Sequence, residues 1–360
     1  MGFLFRDRAP SFAQRGLIAP PIRPRAHSLR EHVTVGLTFS AGTDRTGDLF
    51  PQRRTLVNNR IFGPLRAGFI LLVYTLNTLF WTTLLFPVAL LKWLVRGGSS
   101  TGLFDRLLHG IANSWIAVNN LNMRYLNRVR LDIEGTDSLK PQEWYLVVSN
   151  HQSWADILVL QKIFHRRIPL LKFFLKKELI WMPFLGFAWW ALDFPFMKRY
   201  SKSYLKKHPE RAGMDLEITR KACEKFKNIP ISVMNFVEGT RFTPKKHREQ
   251  DSPYRHLLRP KAGGVAMVLA AMGDRMRHIL DVTIAYPGEN RGFWAFLRGD
   301  VTDIKVRVKS LFVGEDLIGD YFSDEVFRER FQNWLGTLWV DKDDLMQRLL
   351  GVPRVGPAEG

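Results

Sequence analysis

Only one cysteine, Cys223, occurs among the 360 residues. No disulfide can form within the chain, and no zinc pattern can be built from one cysteine and nine scattered histidines. Cys223 lies in a polar helical run, 217–226, without metal-type or nucleophile-type neighbours, and reads as an incidental helix cysteine. Acids are also scarce, 34 against 53 lysines and arginines, for a formal charge of +19. That deficit asks for an anionic partner: nucleic acid, an anionic membrane face or a phosphorylated substrate. Composition does not choose among them. Lysine is missing altogether from residues 1–60, which are rich in arginine, proline, serine and glycine and show no sustained period. This stretch reads as disordered or presequence-like and is set apart from the fold. No internal repeat is present. A hydrophobic content of 46% excludes a disordered polymer for the chain as a whole.

Charge is absent from Ala67 to Leu91. As a helix this run would be about 37 Å long, enough for a hydrocarbon core of about 30 Å. Arg66 bounds one end and Lys92 and Arg96 the other, so the positive-inside rule does not orient it. Length and uniform apolarity favour a membrane segment over a buried core helix. Pro87 and Asn77 keep a half-inserted helix hairpin open beside a clean span. Residues 103–126 follow with an amphipathic helical pattern containing Trp115, suited to lying on the interface.

From Val129 the pattern becomes α/β. Alternation or buried apolar runs predict strands over 129–135, 143–149, 231–237, 279–286 and 301–312, with a short one over 168–174. Helices are expected from Ser153 and over 215–227, 263–272 and 324–350. The expected architecture is an α/β layered sheet flanked by helices, preceded by an N-terminal membrane helix or helix hairpin. The expected organisation is 1–60 disordered or presequence-like, 61–127 membrane anchor and interfacial helix, 128–320 α/β domain, and 321–360 C-terminal helix and tail.

Two strings carry chemistry. In Asn150-His151-Gln152-Ser153-Trp154-Ala155-Asp156 a histidine lies past a buried strand and before a helix, where α/β folds place reactive side chains. Asp156, in the first turn of that helix, can fold back to accept the Nδ1 proton of His151. That bond fixes the tautomer and leaves the Nε2 lone pair outward and more basic. Asn150 and Ser153 can hold the turn and cap the helix. Alone, His-x4-Asp is better explained by a capping aspartate near a loop histidine. The second string, Glu238-Gly239-Thr240-Arg241, ends another buried strand, so its loop can open on the same sheet edge. Glycine permits a tight turn, Arg241 can grip a phosphate bidentately, and Glu238 can orient Arg241 or bond an acceptor hydroxyl. Between them, Asp193-Phe194-Pro195-Phe196-Met197-Lys198-Arg199 follows an aromatic run containing Trp181, Phe184, Phe187, Trp189 and Trp190. That run is either core or the lining of an acyl groove.

Asn-His-x4-Asp, then Phe-x-x-Arg, then Glu-Gly-Thr-Arg, in this order, resembles the glycerophospholipid acyltransferases, specifically the 1-acylglycerol-3-phosphate acyltransferase (PlsC-like) family and a bacterial inner-membrane branch of it. The resemblance covers about residues 130–290. It implies a general base, His151, with Asp156 as partner, and places Phe196, Arg199, Glu238, Gly239, Thr240 and Arg241 at the glycerol-phosphate acceptor. A later block, residues 258–264, adds Lys261. Asp193 stands where the family has glycine, and Val237 where it has proline. The implied reaction moves an acyl chain from acyl-CoA or acyl carrier protein, a co-substrate and not a bound cofactor, to the free hydroxyl of a lysophospholipid, with 1-acylglycerol-3-phosphate giving phosphatidic acid. No metal or nucleic acid is expected; the partners are membrane lipid and these substrates. The site is expected at the cytoplasmic face of a bacterial inner membrane. Two rival readings are an acyltransferase for another lysophospholipid and a non-catalytic, basic, membrane-anchored binding protein.

Overall fold

The computed structural model describes residues 51–95, 101–197, 230–288 and 292–351. Among the described residues eight strands follow in chain order: β1 (Arg130–Glu134), β2 (Tyr145–Ser149), β3 (Leu171–Phe173), β4 (Leu175–Lys176), β5 (Phe196–Met197), β6 (Ser232–Phe236), β7 (His278–Ala285) and β8 (Asp303–Phe312). Among the described residues the helices are α1 (Pro51–Leu94), α2 (Thr101–Tyr125), α3 (Ala155–Phe164), α4 (Leu185–Ala191), α5 (Pro244–Glu249), α6 (Ala262–Met272), α7 (Phe293–Arg298) and α8 (Glu325–Leu350). Each strand and helix expected from 129 onward has its counterpart, except the helix over 215–227, which lies outside the described residues.

Every residue of β2 is buried, so both faces of the strand must be covered, as in the parallel centre of an α/β sheet. The six-stranded sheet runs β1-β8-β7-β2-β6-β3. β2 pairs in parallel with β6 and β7, β3 with β6, and β1 with β8, while β7 and β8 are antiparallel. On one face Val159, Leu160 and Ile163 of α3 join Phe296 and Leu297 of α7 and Ala67 and Ile70 of α1 in a buried cluster. On the other, Val265 and Leu269 of α6 join Phe331, Leu335 and Trp339 of α8. Each buried valine, leucine, isoleucine or phenylalanine among them contributes roughly 1.5–3 kcal/mol by leaving water. The C-terminal helix is therefore part of the layered core. It begins where the Asp324 carboxylate accepts from Phe327 N at 3.0 Å and ends at Gly351, in the left-handed conformation that glycine tolerates.

The helix carrying the uncharged run begins at Pro51, ahead of the boundary expected at 61, so residues 51–60 are helical. α1 and α2 form an antiparallel hairpin. Arg66 Nη2 donates to Leu126 O at 2.8 Å, Asn77 to Asn119 at 2.8 Å, and Lys92 pairs with Asp105 at 2.7 Å. Phe62–Leu94 is long and apolar enough to cross a membrane. Yet it touches the rest of the protein near both ends: Ala67 and Ile70 join the cluster under the sheet, and Leu85 and Ala89 pack on Ala188 and Ala191 of α4. Its other face exposes Phe62, Phe69, Leu72, Leu76, Phe80 and Phe86.

Candidate active site

Parallel pairing decides which loops meet. Ser149, the last residue of β2, lies beside Phe236 of β6 and Val282 of β7. The segments leaving β2, β6 and β7 therefore emerge together at the carboxyl edge of the sheet, where open α/β sheets place their sites. The backbone ties the loops: Val237 N donates to Ser149 O at 3.2 Å, Phe242 N to His151 O at 2.7 Å, and Lys261 N to Val237 O at 2.8 Å. Proline at 237 could not make the first of these bonds, which gives the valine a role of its own.

His151 Nδ1 and Asp156 Oδ2 are 2.8 Å apart. Asp156 is fully buried, and its Oδ2 also accepts from Gln152 N at 2.7 Å and Ser153 N at 2.9 Å. Its other oxygen takes the Tyr286 hydroxyl at 2.5 Å. Burial pushes the Tyr286 phenol well above its ordinary value, and the neighbouring Asp156 carboxylate adds to this; the hydroxyl stays a donor. The His151 ring stacks on Phe236, with centroids 3.9 Å apart, and meets the edge of Trp154. One face of the ring and one nitrogen are thus held. Asn150 does not cap the helix as expected. Its side chain reaches β7 and exchanges two bonds with the Ile284 backbone, each 2.9 Å, extending the sheet ladder by one side chain.

Tyr286→Phe should leave Oδ1 of a buried carboxylate short of a donor. Losing a hydrogen bond to a charged group costs about 1.5–3 kcal/mol, so the unfolding midpoint in urea should fall by that equivalent. An unchanged midpoint would show that Oδ1 finds another donor.

In the second loop Gly239 has φ +68°, and a Cβ there would lie 3.1 Å from Cδ and Nζ of Lys261. The glycine turn and Lys261 are therefore in contact. Arg241 places its guanidinium 4.7 Å above the Trp154 ring, a cation–π seat. Thr240 Oγ1 accepts from Lys246 Nζ at 2.6 Å, and the same ammonium reaches Arg241 O at 3.3 Å. Glu238 departs from expectation: it is fully buried, and neither carboxyl oxygen has a hydrogen-bond partner. It does not orient Arg241; Trp154 does. The amides of His151 and Leu258 face the carboxyl without full hydrogen-bond geometry. Burial raises its pKa to about 8 against their opposing effect.

A carboxyl held neutral by folding favours the folded state at low pH and loses that advantage as pH rises. Between the ordinary glutamate value and about 8 the unfolded chain ionises while the folded one holds its proton. Stability should then fall by about 1.4 kcal/mol per pH unit. Glu238→Gln should flatten that part of the stability–pH curve, measured by urea unfolding across the interval. Equal slopes in both proteins would exclude a neutral Glu238.

Phe196 sits on the small β4–β5 sheet, opposite Leu175. A ladder of rings links its block to the base: Phe194 stacks on Phe173, Phe173 on Phe236, and Phe236 on His151. Arg199 lies outside the described residues. Asp193, where the family has glycine, has φ +55°, and its carboxylate pairs with Lys92 of α1 at 2.9 Å.

A cavity of about 720 Å³ opens between α1, α2, α3 and the aromatic turn, lined among others by Trp154, Leu158, Trp115, Phe184, Trp189 and Phe194. Trp154 thus borders the cavity, the base and the Arg241 seat at once. Among the described residues no three of His, Cys, Asp and Glu converge as metal ligands would.

Residues 130–287 match the family model described as Acyltransferase. That segment resembles acyltransferase-family domains. Human 1-acyl-sn-glycerol-3-phosphate acyltransferase alpha is 29% identical over 122 residues, 34% of this chain and 38% of that protein. An uncharacterized acyltransferase of Saccharomyces cerevisiae is 25% identical over 273 residues, 64% of this chain and 66% of its own. The chain thus spans under two fifths of the human relative. The crystal structure of the 1-acyl-sn-glycerophosphate acyltransferase PlsC from Thermotoga maritima shares the fold, with a TM-score of 0.50 and 17% identity, covering 80% of this chain and 98% of that one.

The sequence reading of the site passed over Tyr286 and Lys246. Tyr286 had a legible signal, the end of a buried strand that could share the sheet edge. Lys246 had none, being one lysine in a basic stretch. Also unforeseen is the brace from α8, beyond the matched segment. Asp343 accepts from Arg255 N and His256 N, both at 2.8 Å, and His256 O in turn accepts from Gln152 Nε2 at 3.2 Å.

Proposed function

We propose that this protein transfers an acyl chain from acyl-CoA or acyl carrier protein to the free hydroxyl of a lysophospholipid, with 1-acylglycerol-3-phosphate as acceptor and phosphatidic acid as product. The observation that carries the reading is the 2.8 Å contact of His151 Nδ1 with a buried Asp156, beside a glycine turn that bears Arg241 and touches Lys261. The carboxylate keeps the Nδ1 proton, so Nε2 is left as the base. As the acceptor oxygen attacks the thioester carbonyl, Nε2 takes its proton. The tetrahedral intermediate collapses with cleavage of the C–S bond, and the imidazolium returns the proton to the departing thiolate. A thioester is electrophilic enough that no acyl-enzyme is required.

Arg241 and Lys261, with Arg199 from the Phe-x-x-Arg block, hold the acceptor phosphate and orient its hydroxyl. Trp154 divides the site: its face carries the guanidinium, and beyond it the cavity receives an acyl chain. α1 packs on the domain near both ends of its apolar run, and its exposed side meets lipid. This supports a hairpin lying in one leaflet of an anionic membrane surface, matched by the +19 charge. The test is purified protein in detergent with labelled acyl-CoA or acyl carrier protein and a panel of lysophospholipids. Transfer to 1-acylglycerol-3-phosphate above all others supports the reading. Preference for a different headgroup replaces the acceptor, and no transfer to any removes the activity.

A further inference from the structure

Between β4 and α4 the chain leaves aromatic side chains in the open. Trp181 is 86% exposed, Phe184 55% and Trp190 44%, with Met182 between them. Rings of this kind bury 150–250 Å² each when they find a partner, and a contiguous apolar patch on a protein surface marks a contact site. The backbone is shaped to present them. Phe184 has φ +61°, a conformation that costs a non-glycine residue about 1–3 kcal/mol. At Gly186 a Cβ would lie 2.1 Å from Ile180 O, so only glycine lets α4 close on the preceding turn and push it outward.

What covers this patch follows from its neighbours. α4 rests on α1, where Phe86 meets Phe187 at 5.2 Å. Phe86, Trp93 and Leu94 at that end of α1 are themselves exposed, so the patch continues the lipid-compatible face of the helix. Exposed Lys176 and Lys177 flank it. Aromatic rings beside lysines suit the level of phospholipid headgroups. Pro183, Phe184 and Leu185 also line the cavity.

We propose that this aromatic lip, Trp181 to Phe184 with Trp190, is a second membrane contact, separate from the hairpin, that seats at the headgroup–acyl boundary of an anionic leaflet and opens the cavity toward the bilayer. The contact itself needs no acyl transfer; its consequence, lateral entry of an acyl chain, rests on the function proposed above.

The test uses the full chain carrying Cys223→Ser and Trp181→Cys, labelled with an environment-sensitive thiol fluorophore and bound to phosphatidylcholine vesicles with and without phosphatidylglycerol. A probe at Glu329→Cys, exposed on α8, serves as the aqueous reference. Blue-shifted emission at 181 but not at 329, quenched by lipids bearing a shallow quencher and stronger with phosphatidylglycerol, is the expected result. Emission at 181 as aqueous as at 329 in vesicle-bound protein overturns the proposal. In the activity arm, Trp181→Glu with Met182→Glu, neither of which lines the cavity, should raise the apparent KM for a vesicle-borne acceptor about tenfold. It should leave the KM for a monomeric short-chain acceptor unchanged. Equal losses with both acceptors would make the lip structural and reject it as a membrane contact. A parent chain without transferase activity would refute the function while leaving the probe result to stand.

Discussion

His151→Ala is expected to lower acyl transfer by about 10²–10⁴-fold, the range for a lost general base, while the protein stays folded. The ring stacks on Phe236 and bonds Asp156, but it belongs to none of the hydrophobic clusters. The expected signature is a fall in kcat with binding of the acceptor unchanged and the unfolding midpoint only modestly lower. More than about a tenth of the activity remaining, far outside that range, would exclude His151 as the base. The bonding around Asp156 refines the companion experiment. Its Oδ2 takes three donors and its Oδ1 only the Tyr286 hydroxyl. In Asp156→Asn the amide oxygen should therefore occupy the Oδ2 place and its NH₂ face Tyr286. The histidine tautomer is then kept and only the charge opposite the imidazolium is lost. A charged hydrogen bond is worth about 1.5–3 kcal/mol, so asparagine should cost roughly 10–100-fold, less than His151→Ala. Asp156→Ala should approach the histidine variant. If asparagine proves as damaging as alanine, the carboxylate acts through more than orientation and charge.

Arg241→Ala should raise the apparent KM for a phosphate-bearing acceptor roughly ten- to a hundredfold, the equivalent of about 1.5–3 kcal/mol for a lost charge-assisted pair. The KM for the acyl donor should hardly move. Arg241→Lys should recover part of the loss, since an ammonium restores charge without the planar fork and stacks less well on Trp154. Trp154→Leu offers a second view: the guanidinium loses its seat 4.7 Å above the ring, and acceptor KM should rise in the same direction with Arg241 intact. Equal changes in donor and acceptor KM for Arg241→Ala would show that the arginine supports the loop and does not hold the phosphate.

The sequence by itself carried the elements and the identities. Strands such as 231–237 were legible because a buried parallel strand must be apolar on both faces. The α8 helix was legible from its period, and the two strings stood out because each ends such a strand. Nothing in the order of residues, however, states which strands are neighbours. Only the pairing of β2 with β6 and β7 brings His151, Gly239 and Tyr286 to one edge. Glu238 illustrates the limit: in sequence it is a charged residue three before an arginine, an obvious partner for it. The backbone turns it inward instead, so burial holds it neutral and an aromatic ring seats the arginine. Asn150 was equally unreadable, because its partner is the Ile284 backbone. The hairpin shows the division once more. Apolarity and length mark 67–91 as lipid-compatible, since those are local properties. That the helix lies along the domain with one face packed depends on contacts of Ala67 and Ala89 with distant segments, and long-range contacts are settled by tertiary packing alone.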